Sequence, residues 1–314
     1  MTIRNIRRPG RRQAQDDQQP DAVLKPLTVA QAARLVRLAE AATAKRGFTM
    51  RYDGAGSLVP ATGRTADSCT AGLGNLALKV AGLPRQQWHA EVSDHFDQMP
   101  TPDRLLPPPD DLENQLYLRL VCAAVHDPDM VRDAPEFVPG LVTVPALYAG
   151  RAVAMYFDVD RLGVSLPEAT RIGLANLRRL HDEVETLKLG GAEFSVLTGG
   201  MFTASRALVF DTVLRDSLHI DDPSSGCLVA VPSRDKMLVH VLQDATAVEA
   251  LAMLAAYAAK LFNISPGAVS PHVYYVIGDS WYQVTDYSRG EFHLHDVAPL
   301  VDALDELGAV PTAA

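Results

Sequence analysis

The sequence predicts an α+β fold, in which an antiparallel or mixed sheet carries helices packed on one side. Its β-like runs occur as hairpins around short polar turns, as at 232–235 and 278–279. Stretches with helical spacing separate these hairpins in groups, whereas a parallel sheet would need strict alternation of strand and helix. The chain has 314 residues, of which 47% are hydrophobic, so it can bury a large core.

Composition divides the chain into four parts. Residues 1–25 are polar and are predicted to be a disordered basic tail. Residues 26–99 predict a smaller α+β subdomain with helix, hairpin and helix in that order. Residues 100–111 are rich in proline, which resists helices and sheet ladders and therefore predicts a linker. Residues 112–314 are assigned to the C-terminal α+β domain.

Local patterns assign each element of the subdomain. Thr28 is predicted to cap a helix that Gly47 ends. "FTMRYDGAGSLVPA" alternates around Asp53 and Gly54, which predicts a hairpin. Two helices follow, and Pro84 marks the break between them because proline cannot continue a helix.

The first half of the C-terminal domain mixes both periods. Residues 112–125 are apolar at helical spacing and predict a helix, whereas "GLVTVPALY" and "RAVAMYFDV" are β-like. "SLPEATRIGLANLRRLHDEVE" predicts a helix that begins after Ser165 and has residues 178–185 as its charged end. "AEFSVLTG" then predicts a strand and "TASRALVFDTVLRDSL" a helix.

The second half begins with the most regular pattern in the chain. Residues 227–231 and 237–242 predict a hairpin, and its polar tip at 232–235 is expected to turn the chain and not to do chemistry. The Ala-rich "ATAVEALAMLAAYAAKLFN" predicts a helix, "HVYYVIGDSWYQV" a second hairpin, and a closing helix starts near Asp296.

Charge and composition limit the partners. The net charge is −9, although residues 1–12 contain five arginines and no acid, so the rest of the chain disfavours nucleic acid and only the tail could bind it. The start lacks the apolar region of a secretory signal, and no membrane span is expected. Cys69, Cys122 and Cys227 lie far apart without disulfide or zinc spacing, which is typical of a cytoplasmic protein.

Four segments after residue 144 resemble a known family: "MYFDVDRLG", "GLANLRRL", "ASRALVFDTVL" and "LVAVPSRDKMLVHV". Their order is similar to that of the YtpQ-like family of uncharacterised bacterial proteins, over about 100 to 150 residues, the size of one domain. The matching positions are Asp160, Asn176, Leu177, Arg178, Ala204, Ser205, Arg206, Val231, Pro232 and Asp235. The basic tail, the proline-rich stretch and "GGMF" depart from the family. The resemblance implies a fold and no reaction, because the family has no established one.

A candidate anion site lies where a predicted strand meets a predicted helix. Gly199 and Gly200 allow close approach to the backbone, and Ser205 marks a helix start whose N–H groups attract anions. Arg206 adds a forked donor, and Asp235 of the hairpin tip completes the candidate set. The alternative is structural: a glycine turn, a helix cap and an arginine paired with an acidic neighbour.

Two further clusters have residue types that bind metals. Asp158 and Asp160 share one face if the strand continues, and paired carboxylates bind Mg²⁺; alternatively they cap a turn. His293 and His295, followed by Asp296, predict a zinc or iron site in the same way, unless the aspartate caps the closing helix. No cofactor is predicted, because no cluster offers a full ligand set.

Two function hypotheses follow. In the first, a non-catalytic cytoplasmic protein binds a partner protein or peptide through its sheet and one helix face. In the second, an enzyme or small-molecule-binding domain uses the anion site, with Arg206, Asp160 and Asp235 converging in a cavity. No nucleophile motif such as GxSxG or SxxK occurs in a strand–turn–helix context, which favours the first hypothesis.

Overall fold

The computed structural model describes residues 18–62, 70–98, 111–149, 152–189, 191–287 and 292–309. The chain divides into two units between Leu105 and Leu106, within the proline-rich stretch. Residues 1–17 of the predicted tail and residues 100–110 of the predicted linker lie outside the described residues.

Ordered structure begins before residue 26, which corrects the predicted end of the tail. The side chains of Leu24 and Leu27 are fully buried in the core of the first unit. The Asp21 amide donates a hydrogen bond to the Leu27 carbonyl at 2.8 Å, and Pro20 forms a β-bridge with Thr28. Burial of two leucines offsets the entropy lost on ordering this short polar segment.

The first unit contains the helices and the hairpin that local patterns predict. Its elements are α1 (Val29–Lys45), β1 (Met50–Tyr52), β2 (Ser57–Pro60), β3 (Ala71–Gly72), α2 (Gly74–Ala81) and α3 (Trp88–Asp97). Thr28 caps α1 in a capping box with Gln31, as predicted. The three strands form an antiparallel sheet, and Trp88 and Phe96 of α3 are the largest apolar side chains buried in the core.

The second unit starts with a four-stranded sheet and a helix packed on it. Its elements are α4 (Leu112–Gln115), β4 (Leu116–Cys122), α5 (Pro128–Val131), β5 (Glu136–Val138), β6 (Leu141–Ala149), β7 (Ala152–Met155) and α6 (Leu166–Arg178). Strand β6 pairs with β4 on one side and with β5 and β7 on the other. Helix α6 approaches β4 so closely that a Cβ on Gly173 would lie 2.7 Å from the Leu118 amide nitrogen.

The predicted helix over residues 112–125 is wrong after its first turn. Leu116, Leu118 and Leu120 are buried, whereas the residues between them are more exposed, so the run follows the period of a strand. The leucines fit the period of a helix as well as that of a strand. Pairing with Leu141–Leu147 of β6 selects the strand.

The six-stranded antiparallel sheet confirms the predicted α+β class. Its strands are β8 (Glu183–Leu189), β9 (Ala192–Thr198), β10 (Cys227–Ser233), β11 (Lys236–Val241), β12 (Val273–Ile277) and β13 (Ser280–Gln283), in the order β13-β12-β10-β11-β9-β8. A two-stranded ladder of β14 (Thr285–Asp286) and β15 (His293–Leu294) follows. Strand β8 was not predicted: α6 ends at Arg178, and the assignment of 178–185 to a helix end is wrong.

Helical segments cover both faces of the six-stranded sheet, whereas the sequence predicted helices on one side. An irregular helical segment, 204–218, consists of a 3₁₀ turn (Ala204–Val209), α7 (Phe210–Thr212) and a π-helical turn (Val213–Leu218). It packs on one face together with Leu120, Val138 and Leu141 of the four-stranded sheet. Helices α8 (Ala247–Ile264) and α9 (Ala298–Glu306) pack on the other face.

Helix α8 is apolar on more than its packed face. Among the described residues it alone is long and apolar enough to cross a membrane by length and composition, with a mean hydropathy of 1.4. Seven of its residues are buried, among them Ala250, Leu254 and Ala258, and they pack against the sheet. A core helix passes the same length and composition test, so α8 gives weak evidence for a membrane span.

Candidate functional site

The structure places Arg206 in the interior, which corrects its prediction as an anion ligand. Its side chain is 1% exposed and forms an ion pair with Asp182, whose side chain is 2% exposed. Arg206 Nη1 donates to Asp182 Oδ2 and, at 3.1 Å, to Ser217 Oγ. A charge this far from water is tolerated only when it is paired, so the charge of Arg206 is committed to Asp182, although Nε and Nη2 make no hydrogen bond with the described residues.

Thr203 and Gly199 hold the Asp182 carboxylate in place. Thr203 Oγ1 donates to Asp182 Oδ1 at 2.8 Å. A Cβ on Gly199 would lie 2.4 Å from Asp182 Oδ1, whereas a Cβ on Gly200 would meet no atom within 4 Å. Gly199 therefore makes room for a protein carboxylate, in the place where the sequence predicted a ligand.

Ser205 and Asp235 are also occupied by protein contacts. Ser205 is buried, and its hydroxyl accepts a hydrogen bond from the Leu120 amide of β4 at 2.9 Å. Asp235 accepts from Ser233 Oγ at 2.7 Å and from Lys236 Nζ at 3.3 Å. Of the five predicted ligands, Gly199 and Asp235 are joined by a backbone hydrogen bond, and the contacts of the whole set are those of the structural alternative.

The hairpin tip is more deeply packed than its polar residues suggest. Strand β10 continues through Pro232 to Ser233, which is fully buried, so the turn consists of Arg234 and Asp235 alone. Ala268 forms a β-bridge with Ser233, and the amide of Gly199 donates to the Asp235 carbonyl at 3.2 Å. The tip turns the chain, as predicted, and also joins three segments.

The metal candidates do not form a ligand set. Asp158 lies after the end of β7, caps a 3₁₀ turn (Val159–Leu162) and accepts from the Asp160 amide at 3.2 Å, so the two carboxylates do not share a strand face. Both are exposed, whereas Arg206 is buried, which gives no support to the predicted cavity of Arg206, Asp160 and Asp235. Across the described residues, no group of three or more His, Cys, Asp or Glu side chains could hold a metal ion.

The remaining histidine and cysteine candidates do not form a catalytic or metal-binding cluster among the described residues. His293 and His295 are exposed at β15, and α9 begins at Ala298 after Val297, so Asp296 is not its cap. Cys227 is fully buried in β10, and burial raises the pKa of its thiol to about 12. A thiol with that pKa stays protonated near pH 7 and is a poor nucleophile.

The open edge of β8 is a binding feature that the sequence did not indicate. In the described part of the chain, β8 pairs with β9 alone. Leu189 pairs with Ala192 across a two-residue connection, and the pair that flanks such a short turn is hydrogen-bonded. Along an antiparallel ladder, hydrogen-bonded pairs alternate with pairs that are not hydrogen-bonded. The amides of Val184, Thr186 and Lys188 therefore point away from β9, towards the open edge.

Sequence reasoning missed Asp182 because it lies in the stretch assigned to a helix end. The stretch "EVETLKL" lacks a regular apolar alternation, so no clear sequence signal indicates β8 or the place of Asp182 just before it. Comparisons with protein-family models, curated proteins and solved structures give no match for this chain.

Proposed function

We propose that this protein binds an extended segment of a partner protein along β8 and does not catalyse a reaction. The open edge of β8 supports this proposal. A sheet edge presents unpaired N–H and C=O groups, and an added peptide strand satisfies them while its side chains supply specificity. The peptide would become a seventh antiparallel or parallel strand next to β8.

Charge on β8 indicates the kind of partner. Glu183 and Glu185 are exposed on the strand, with Lys188 near its end. A second copy of β8 pairing in antiparallel fashion would place acidic residues close to each other, which destabilises a pair. The pattern favours a partner segment with basic side chains opposite the two glutamates.

An apolar residue of α8 extends the surface at the far end of β8. Glu249 binds the amide of Gly191 at 3.0 Å, which fixes the start of α8 next to the β8–β9 turn. Val248 is 46% exposed beside that glutamate, and Val184 of β8 is 41% exposed. An apolar side chain of the partner near either valine would bury surface that is now in water.

The cytoplasm is the compartment that we propose for this interaction, in a bacterial protein of the YtpQ-like type. Sparse cysteines without disulfide spacing support a reducing compartment. The described residues offer one weak candidate span and otherwise nothing that requires a membrane. The acidic net charge supports a protein partner over a nucleic acid.

A single proline substitution in β8 tests the proposal. Peptides selected from a random library for binding to the wild-type protein are measured against Thr186→Pro, which removes an outward amide and keeps the ladder to β9. The matched control is Thr186→Ala. We expect proline to weaken binding at least about tenfold, because one edge hydrogen bond is lost and the added strand must bend around the proline ring.

Amide exchange in the wild-type complex provides the second measurement. Bound peptide should slow exchange at Val184, Thr186 and Lys188. Equal affinity for the proline and alanine variants, or protection on α8 without protection on β8, would contradict the proposal.

A further inference from the structure

Two half-buried arginines in the second unit have no side-chain partner among the described residues. Arg119 of β4 and Arg234 of the hairpin tip make no side-chain hydrogen bond or ion pair with any described residue. The aliphatic part of Arg234 packs over Gly267, where an added Cβ would lie 2.5 Å from Arg234 Cδ. The Arg234 amide also donates to the Gly267 carbonyl at 2.8 Å, so this arginine is held in place.

The irregular helical segment links the backbone next to Arg119 with the backbone of Arg234. Leu120, next to Arg119, donates its amide to Ser205 Oγ at 2.9 Å. Ala204, next to Ser205, donates its amide to the Arg234 carbonyl at 3.1 Å. Burial, followed by the positive charge of Arg234, lowers the pKa of Arg119 to about 10, so both guanidinium groups are charged at neutral pH and act on each other.

The surroundings of Arg119 strengthen electrostatic interactions. Side chains two apart on a strand share a face, so Arg119 projects beside Val121, which is buried in a small apolar cluster with Val142 and Val144. Phe157 packs against this cluster, and the His126 ring centroid lies 5.1 Å from that of Phe157. Burial and Arg119 lower the pKa of His126, so His126 is neutral at pH 7 and can still donate a hydrogen bond.

Asp235, the acid next to Arg234 in the chain, already makes other hydrogen bonds. Asp235 uses one oxygen for Ser233 and the other for Lys236. Lys236 adds a further positive charge at the tip, so the local charge remains positive. Two half-buried positive charges that repel each other raise the free energy of the protein, and an anion that neutralises them lowers it.

We propose that Arg119 and Arg234 bind the phosphate group of a small phosphorylated molecule. Guanidinium groups match phosphate oxygens in a two-pronged geometry, and a phosphate monoester carries close to two negative charges at neutral pH, one for each arginine. The charge of Arg119 acts on His126, so the His126 ring offers a further hydrogen-bond donor for such a ligand. This site is separate from the β8 edge and is independent of the proposed partner binding.

Inorganic phosphate is the probe for a first test on the full chain. The melting temperature is measured in phosphate, in acetate and in chloride at constant ionic strength, and affinity is measured by calorimetry. We expect phosphate to raise the melting temperature above the chloride value, because a ligand that binds only the folded state stabilises it by mass action. Arg119→Met and Arg234→Met should each weaken phosphate binding at least about tenfold.

Arg178→Met is the matched control, because Arg178 is exposed on the same unit. It should keep the full phosphate effect. Modification of the wild-type protein with phenylglyoxal, read by mass spectrometry, adds a test without any variant: phosphate should protect Arg119 and Arg234 and leave Arg178 reactive. Equal stabilisation by phosphate and chloride, equal stabilisation by acetate, or an unchanged affinity in both Met variants would overturn the proposal.

Discussion

Arg206 belongs to the short segment that begins at Ala204, and the same segment bonds to Arg234 and to the neighbour of Arg119, yet these arginines have opposite environments. Arg206 is 1% exposed and is joined to Asp182, Ser217 and, through the carboxylate, to Thr203. Arg119 and Arg234 are half-buried, reach water and have no partner among the described residues. The difference separates an arginine that holds the fold from arginines that can receive a ligand.

The comparison teaches that a glycine next to an arginine is not enough to indicate an anion site. Near Arg206, the space beside Gly199 is filled by Asp182, so a protein carboxylate takes the place of an external anion. Near Arg234, Gly267 makes room for the arginine itself. The same two residue types therefore serve a closed site and an open one, and only the position of the acid distinguishes them.

Removal of Asp182 should have the largest effect on stability. Asp182→Ala leaves the charge of Arg206 buried and unpaired, and we expect the free energy of unfolding to fall by about 3–5 kcal/mol. Urea denaturation followed by circular dichroism measures it. Asp302→Ala, at an exposed position on α9, should change it by less than about 0.5 kcal/mol. Similar losses of unfolding free energy in both variants would mean that the ion pair of Asp182 with Arg206 does not stabilise the fold.

Loss of the Thr203 hydroxyl should have the second largest effect on stability. Thr203→Val keeps the volume but removes the hydrogen bond to Asp182 Oδ1, and a bond to a buried charged group contributes about 1.5–3 kcal/mol. Thr203→Ser, which retains the hydroxyl, should lose less. If the serine variant unfolds as easily as the valine variant, the methyl group matters and the bond to Asp182 does not.

Gly199→Ala should destabilise by about 1–3 kcal/mol, because its Cβ would overlap the Asp182 carboxylate. Gly200→Ala is the matched control at the neighbouring position, where a Cβ meets no atom within 4 Å. Thermal unfolding of the two variants side by side measures the difference. A loss at Gly200 as large as that at Gly199 would point to the turn backbone as the cause.

The smallest effect is expected at Arg119. Arg119→Met removes an unpaired charge and retains apolar volume, so stability without ligand should change by less than about 0.5 kcal/mol or increase. Arg206→Met, in contrast, leaves the buried Asp182 carboxylate without its ion-pair partner and should strongly lower the free energy of unfolding. Urea midpoints of the two methionine variants give the answer, and a strong loss in Arg119→Met would mean that this arginine is also structural.

Elements with local signals could be predicted from the sequence. The caps at Thr28 and Ser165 set the starts of α1 and α6, and the two predicted hairpins of the six-stranded sheet, β10–β11 and β12–β13, fall where their turn residues indicate. These signals act within a few residues, so no knowledge of the tertiary structure is needed to interpret them.

Elements that depend on pairing could not be predicted. The leucines of β4 fit a helix as well as a strand, and only β6 decides between them. Strand β8 is mostly exposed, so it lacks the apolar alternation that marks a half-buried strand. The two arginine environments are still less local, because Asp182 lies 24 residues from Arg206 in the sequence, and Arg119 and Arg234 meet only through a third segment.

The contact between Glu249 and the amide of Gly191 has a kinetic consequence for the β8 edge. It anchors the end of the hairpin to α8, so the edge is ordered before any partner arrives. A peptide would then lose its own conformational freedom while the protein loses almost none. Association should therefore show one second-order phase, without the slow concentration-independent step that a strand folding on contact would impose.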